Sequence, residues 1–256
     1  MTGPPPLAIV SAMHDELRAL IPLLQGPRRV PRAGRTFHCG VVRGRPVVLV
    51  LSGIGKVAAA TTAVLLINEF NAHSLIFTGV AGGLGAGVNV GDVVVARQLL
   101  QHDMDVSPLF PRYLVPSSGR SHFDTHAALA DALAAAAVRC LARPGGCIGA
   151  EARARFGLGG ARLHEGLVVS GDRFVSSHAQ SDALRAALPE ALAVEMEGAA
   201  VAQVCSDFGC PFAVLRTISD RADDSAHVDF TGFLADVASA YTREILEDWW
   251  QHSARA

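Results

Sequence analysis

"LAIVSAMHDELRALIPLL", residues 7–24, changes its hydrophobic period part-way along. Leu7 to Met13 is an apolar run broken only by Ser11, the pattern of a strand buried on both faces. From His14 onward, Leu17, Leu20, Ile21 and Leu24 fall on one helical face. Asp15 and Glu16 occupy the first turn of that helix, where the partial positive charge of the N-terminus favours acids. A buried strand leading directly into an amphipathic helix is the unit of an α/β fold.

The same alternation continues outward. "RTFHCGVV" and "PVVLVLS" read as strands joined by a turn at Arg43–Arg45, and "GIGKVAAATTAVLLINEF" as a glycine turn opening a long apolar helix. "HSLIFTG" is a strand, "VAGGLGAG" a glycine loop and "VGDVVVARQLL" another strand. The stretch 105–123, rich in proline and serine, reads as a long surface loop. "THAALADALAAAAVRCLAR" is a helix with Asp124 or Thr125 as its cap, and residues 144–162 read as a loop. "EGLVVSG" and "ALAVEM" are strands, with "AQSDALRAAL" a helix between them. "GAAVAQVCSDFG" is a helix ended by Gly209, "PFAVLRTISD" a strand, and 230–250 a final amphipathic helix. Strands that are apolar runs, alternating with helices, predict a mostly parallel or mixed sheet covered by helices. No repeat or flexible linker divides the chain. Residues 7–250 are expected to form one domain, with 1–6 and 251–256 as tails.

Composition narrows the function. A net charge of −2 and no basic block argue against a nucleic-acid or anionic-membrane binder. No apolar run reaches membrane-spanning length. The start lacks a secretory pattern, and five cysteines without a C-x-x-C pair read as reduced thiols, so a cytoplasmic protein is expected.

Several motifs fail. "SGIGKV" has Val50 and Val57 where a phosphate loop needs glycine and serine or threonine. "GGLGAG" lacks the dinucleotide spacing and precedes a strand. His122 and His126 are spaced as zinc ligands, but no glutamate follows the first. "HDMD" at 102–105 lacks the additional acids of an oxygen cage. No metal and no cofactor are expected. Three acids stand out instead: Glu16, Glu197 and Asp220, each where a strand meets a helix or loop. Ligands of open α/β sheets bind at such ends. If the three strands are parallel neighbours, their ends bring the acids together, beside the glycine loop Gly79–Gly83. Glu195 lies two residues before Glu197, and an arginine or backbone amide is its expected partner.

"AMHDEL", "SGIGKVAAA", "TGVAGGL", "VGDVVVA", "VVSGDRFV", "AVEMEGAAVAQVC" and "VLRTISD" occur in this order. Together they resemble the 5′-methylthioadenosine/S-adenosylhomocysteine nucleosidases of the purine nucleoside phosphorylase superfamily, from about Leu7 to Trp250. The resemblance implies a three-layer α/β/α fold with a mixed, partly barrel-like central sheet, assembled as a homodimer. It implies hydrolysis of the N-glycosidic bond of methylthioadenosine, adenosylhomocysteine or 5′-deoxyadenosine. Glu16 would activate water and Asp220, helped by Ser219, would protonate N7 of adenine. Glu197 would bind the ribose hydroxyls and Met196 would pack on the sugar. Phe174 would stack on the purine, the Val175 backbone would read its edge, and Arg216 would lie near the water and Glu16. The loop Val80, Ala81 and Gly82 would approach the ligand closely.

The nucleophile separates two branches of that superfamily. Phosphorolysis needs cations for the phosphate, and the phosphorylase branch commonly has an arginine before the glycine loop, where this chain has Phe77. Asp15 and Glu16 repel phosphate and suit water. Val80 stands where the nucleosidases often have serine, and "SPLFPRYLVP" replaces a loop that helps form their 5′ pocket. The 5′ preference and the base, adenine or that of futalosine, stay open at this point. A phosphorylase is the alternative enzyme, and a purine-nucleoside sensor the alternative outside catalysis. A chelator is expected to leave turnover unchanged; activity lost to EDTA and restored by a metal ion would overturn the metal-free expectation.

Overall fold

The computed structural model describes residues 4–143, 147–222 and 230–253. β1 (Leu7–Ser11) is buried at every position because it lies between two parallel neighbours, β4 (Arg45–Leu51) and β5 (Ser74–Gly83). Its alternate side chains serve two cores. Leu7 and Ile9 face one, with Leu49, Ile76, Val95 and Leu215. Ala8 and Val10 face the other, with Val48, Val50, Leu75 and Phe77. The period of two thus sorts one apolar run onto both faces of the sheet.

Helices cover each face. α1 (His14–Leu20), α3 (Ala127–Leu141) and α8 (Ser239–Ser253) supply Leu17, Leu20, Leu133, Ala137, Ile245 and Trp249 to the first core. α2 (Lys56–Asn68) and α6 (Gly198–Phe208) supply Ala59, Ala63, Leu66, Val201 and Cys205 to the second. These are the three expected layers.

The sheet closes on itself at one end. β5 pairs with β9 (Ala191–Glu195), β9 with β8 (Leu163–Ser170), β8 with β6 (Val93–Gln101), β6 with β10 (Phe212–Asp220), and β10 with β5 again. Two of these pairings are antiparallel, β5–β9 and β6–β10, so the five-strand ring is mixed. From β5 the sheet runs on through β1, β4 and β3 (Arg35–Val42) to β2 (Gln25–Arg32) as an open wing.

Some local readings need correction. β2 is a strand that the sequence pattern hides: it is mostly exposed, carries Pro27 and Pro31, and pairs only with β3. Proline is tolerated there because an edge strand has an unpaired side. The loop 105–123 ends in β7 (His122–Asp124), which pairs with β6. The cap of α3 is His126, whose ring nitrogen accepts from the Leu129 amide, rather than Asp124 or Thr125. α4 (Ala150–Arg155) lies within the segment read as a loop, and Pro144–Gly146 of that segment lie outside the described residues. α5 (His178–Ala187) follows β8, α7 (Phe230–Phe233) precedes α8, and α8 continues to Ser253. Cys140 and Cys147 are disulfide-paired, with Cα atoms 5.9 Å apart, which corrects the reading of all five cysteines as free; Cys39, Cys205 and Cys210 are free and buried.

Ile9→Ala removes a fully buried side chain from the strand that both cores share. Its expected cost is about 2–5 kcal/mol of unfolding free energy in urea titration; a loss under ~0.5 kcal/mol would contradict this packing.

Candidate active site

β5 brings the acids together. Its first half, Ser74–Thr78, runs parallel to β1, and residues Leu75–Gly82 run beside β10. Its last residues cross to β9, pairing Gly82 with Val194 and Gly83 with Ala193 in antiparallel register. The condition that the three acid-bearing strands be parallel neighbours is therefore not met: β1 and β10 each run parallel to β5 rather than beside each other, and β9 is antiparallel to β5. The ends converge because one long strand touches β1, β10 and β9 in turn. Glycine lets it do so: a Cβ at Gly82 would sit 2.9 Å from Asp220 Oδ1 and from the Ala222 Cβ.

At the centre is Arg216, a β10 residue 1% exposed. Its Nη2 donates to Glu195 Oε2 at 2.7 Å, and its guanidinium lies 4.2 Å from the Phe77 ring centroid. Nη1 donates to the carbonyls of Phe77 and Leu215 at 3.3 and 3.2 Å. Glu195 also accepts from the amides of Glu197 at 3.1 Å and Gly198 at 2.8 Å, and from the Ser170 hydroxyl. It caps the first turn of α6 while neutralising Arg216. The arginine and the backbone amides expected for it are both present.

That arrangement leaves two further carboxyls without a cation of their own. Glu16, in the first turn of α1, is fully buried, and neither oxygen has a hydrogen-bond partner among the described residues. Burial pushes its pKa up from 4.5 to about 7, and the Glu197 and Asp15 charges push the same way. Arg216 opposes this, with a smaller pull from the Met13 amide, which lies close without hydrogen-bonding geometry. Glu197 is also raised to about 7, first by burial and then by the Glu195 charge. The Gly55 amide, 2.8 Å from Glu197 Oε1, and Arg216 pull the other way. Gly55 has φ +97°, a conformation other residues rarely adopt, and that turn aims its amide at the carboxylate. On the far side, Asp220 accepts from Ser219 Oγ through Oδ2 and from the Ala222 amide through Oδ1, both at 2.7 Å.

A cavity of about 450 Å³ opens onto these groups. Its wall includes Val80, Ala81, Gly82, Phe174, Val175, Met196, Glu197, Arg216, Ser219 and Asp220, the residues singled out from sequence. Glu16 is not on the wall; it lies behind it, near enough to Arg216 and Glu197 for their charges to act on it. Sequence reasoning missed Ala12, Met13, Ile54, Arg173 and Phe230, which also line the cavity. Ala12, Met13, Ile54 and Arg173 stood inside quoted motifs and were signalled in that way; Phe230 carried no local signal. Among the described residues no cluster of His, Cys, Asp and Glu is placed to hold a metal ion.

A five-strand ring with an open wing, helices on both faces and carboxylates at the strand ends defines the class: the phosphorylase superfamily, whose family model matches residues 6–248. The 5′-methylthioadenosine/S-adenosylhomocysteine nucleosidase of Chromohalobacter salexigens is 36% identical over 235 residues, 91% of this chain and 92% of its own. The crystal structure of the Neisseria meningitidis nucleosidase of the same name, in complex with methylthio-immucillin-A, superposes with a TM-score of 0.83 at 35% identity, covering 97% of this chain and 99% of that one. A futalosine hydrolase mutant from Helicobacter pylori strain 26695 reaches 0.80 at 33% identity, covering 96% and 98%. The chain belongs to the 5′-methylthioadenosine/S-adenosylhomocysteine nucleosidase family within that superfamily.

Two outcomes follow from the buried charges. Glu195→Ala strands Arg216 without its counter-ion and is expected to cost about 3–5 kcal/mol of stability in denaturant titration; a loss below ~1 kcal/mol would show that the pair is dispensable. Glu16 and Glu197 keep protons in the folded state that the unfolded chain releases between pH 4.5 and about 7. The unfolded state binds fewer protons there, so stability falls as pH rises through that window. Glu16→Gln is expected to flatten the fall between about pH 5 and about pH 7.5, and an unaltered slope would remove Glu16 from it.

Proposed function

We propose that this chain is a hydrolase that cleaves the N-glycosidic bond of 5′-methylthioadenosine, S-adenosylhomocysteine and 5′-deoxyadenosine, releasing adenine. One observation carries the choice of water over phosphate. The buried cation of the cavity, Arg216, is committed to Glu195 at 2.7 Å, and the neighbouring group is a buried carboxyl raised to about 7. A phosphate dianion beside Glu16 would find Arg216 already neutralised and an acid next to it, while the cavity's other arginine, Arg173, is exposed on the wall. Water would find a base matched to neutral pH.

In this reading the C1′–N9 bond breaks and its electron pair passes into the purine, while a water oxygen bonds to C1′. Glu16 takes the proton that water loses. Asp220, held by Ser219 and the Ala222 amide, delivers a proton to N7, which makes adenine a better leaving group. Glu197, fixed by the Gly55 amide, holds the ribose hydroxyls and stabilises the cationic character of the sugar. Met196 packs on the sugar. Phe174, 43% exposed at the cavity, presents a face for the purine, and the backbone of Val175 reads the purine edge. Val80, Ala81 and Gly82 form the close backbone wall.

Residues 7–250 act as one domain in this reading. The enzyme works as a cytoplasmic homodimer without nucleic acid, membrane, metal or cofactor. Support for the dimer is the exposed apolar surface at Ile54, Val57 and Leu109, 62%, 78% and 82% exposed. No helix of the described residues is long and apolar enough to cross a membrane. The likeness to a futalosine hydrolase favours a second reading with the same bond cleavage and a different nucleoside.

The deciding experiment is adenine release from 5′-methylthioadenosine with and without phosphate. Release in phosphate-free buffer is expected; a strict phosphate requirement would make the chain a phosphorylase, and no release in either buffer would direct the test to futalosine. Asp220→Asn is expected to lower kcat by about 10²–10⁴ with the fold kept, and Glu197→Gln to lower kcat/KM severely. Near-normal kinetics of either folded variant would take that residue out of the mechanism.

A further inference from the structure

Arg173 lines the cavity and is exposed. It differs from the other cations nearby. Arg216 is paired with Glu195 at 2.7 Å, and Lys56 is held by Asp103 at 2.6 Å and by Gln101 at 3.2 Å. Arg173 has no hydrogen-bond or ion-pair partner among the described residues. A guanidinium on a largely apolar wall with no protein acceptor is placed to take one from a ligand.

Its neighbours fix its place along the cavity. Asp172 Oδ1 accepts from the Lys56 amide at 2.7 Å, and the adjoining Gly55 amide holds Glu197 at 2.8 Å. On this side of Arg173 stands the carboxylate assigned to the ribose. On the other side stand Phe174 and Val175, assigned to the purine. Arg173 therefore sits where the loop passes from the sugar to the base, on a wall shared with Ile54. In the proposed function Glu197 holds the ribose hydroxyls and Phe174 and Val175 the base. The 5′ substituent is the part of the nucleoside that those assignments leave for the wall at Ile54 and Arg173.

We infer that Arg173 is a specificity-determining residue that binds a carboxylate carried on the 5′ substituent, so that adenine nucleosides with an anionic 5′ extension are preferred to neutral ones of equal size. The inference rests on the reading of the cavity as an adenine-nucleoside site. It ranks the nucleosides named for the relatives: S-adenosylhomocysteine ends in an amino acid whose carboxylate can meet the guanidinium, whereas 5′-methylthioadenosine ends in a methyl group.

The test compares 5′-(3-carboxypropyl)thioadenosine with its primary amide, which has the same size and no charge. Dissociation constants are measured by calorimetry, and adenine release is followed in parallel, for the wild type, Arg173→Gln and Arg173→Glu. The acid is expected to bind the wild type about fivefold more tightly than the amide, the size of one solvent-accessible charge pair. The preference should shrink with added salt, vanish in Arg173→Gln and reverse in Arg173→Glu. Equal binding of acid and amide by the wild type, or a preference that survives Arg173→Gln, would overturn the inference. Adenine release separates the two readings: turnover of both nucleosides without a charge preference sinks the role of Arg173 alone, whereas binding without any turnover sinks the hydrolase reading and leaves the charge preference to decide Arg173.

Discussion

The ion pair between Arg216 and Glu195 is the constraint on which the rest of the site depends. Both side chains are almost wholly buried, at 1% and 3% exposure. A buried pair recovers its desolvation cost only when its remaining hydrogen bonds are made. Here they are made largely by the fold itself. The amides at the start of α6 and the hydroxyl of Ser170 saturate the carboxylate, while carbonyls of β5 and β10 and the face of Phe77 receive the guanidinium. Four strands, β5, β8, β9 and β10, and the start of α6 meet at one pair of charges.

The chemistry follows from what that pair leaves over. One cation serves three glutamates. Glu195 has the direct contact, so Glu16 and Glu197 feel Arg216 only at longer range and burial prevails over attraction in both. Two carboxyls that hold or lose a proton near neutrality are the result, one behind the cavity wall and one on it. Asp220 stands apart, tied to Ser219 and the Ala222 amide at the end of β10. Groups with different tasks are thereby kept in different surroundings inside one cavity.

In the proposed mechanism specificity and catalysis divide between loops and strand ends. Glu197 and Asp220 lie where β5, β10 and β9 converge, and Glu16 follows β1, so their positions depend on backbone registers. Ile54, Arg173 and Phe174 lie on loops that follow strands, where a side chain can change without disturbing a register. Loops of this kind carry the variation in what a shared scaffold accepts.

The sequence by itself determined the alternation of buried strands and amphipathic helices, because burial on two faces or on one stripe is written in the spacing of apolar residues. It also marked Glu16, Glu197 and Asp220 as acids at strand ends, and the ordered motifs identified the family. It did not determine that β9 runs antiparallel to β5, since two glycine pairings set that direction and glycine carries no period. It did not show β2, whose prolines and exposed residues pair at an edge, nor Phe230, which reaches the cavity from a distant segment. It named an arginine or a backbone amide as the partner of Glu195 but not which one. Only the tertiary structure brought Arg216 across from β10 to meet it, because charge pairing is decided by proximity in space, and residues 195 and 216 become neighbours only when the ring of strands closes.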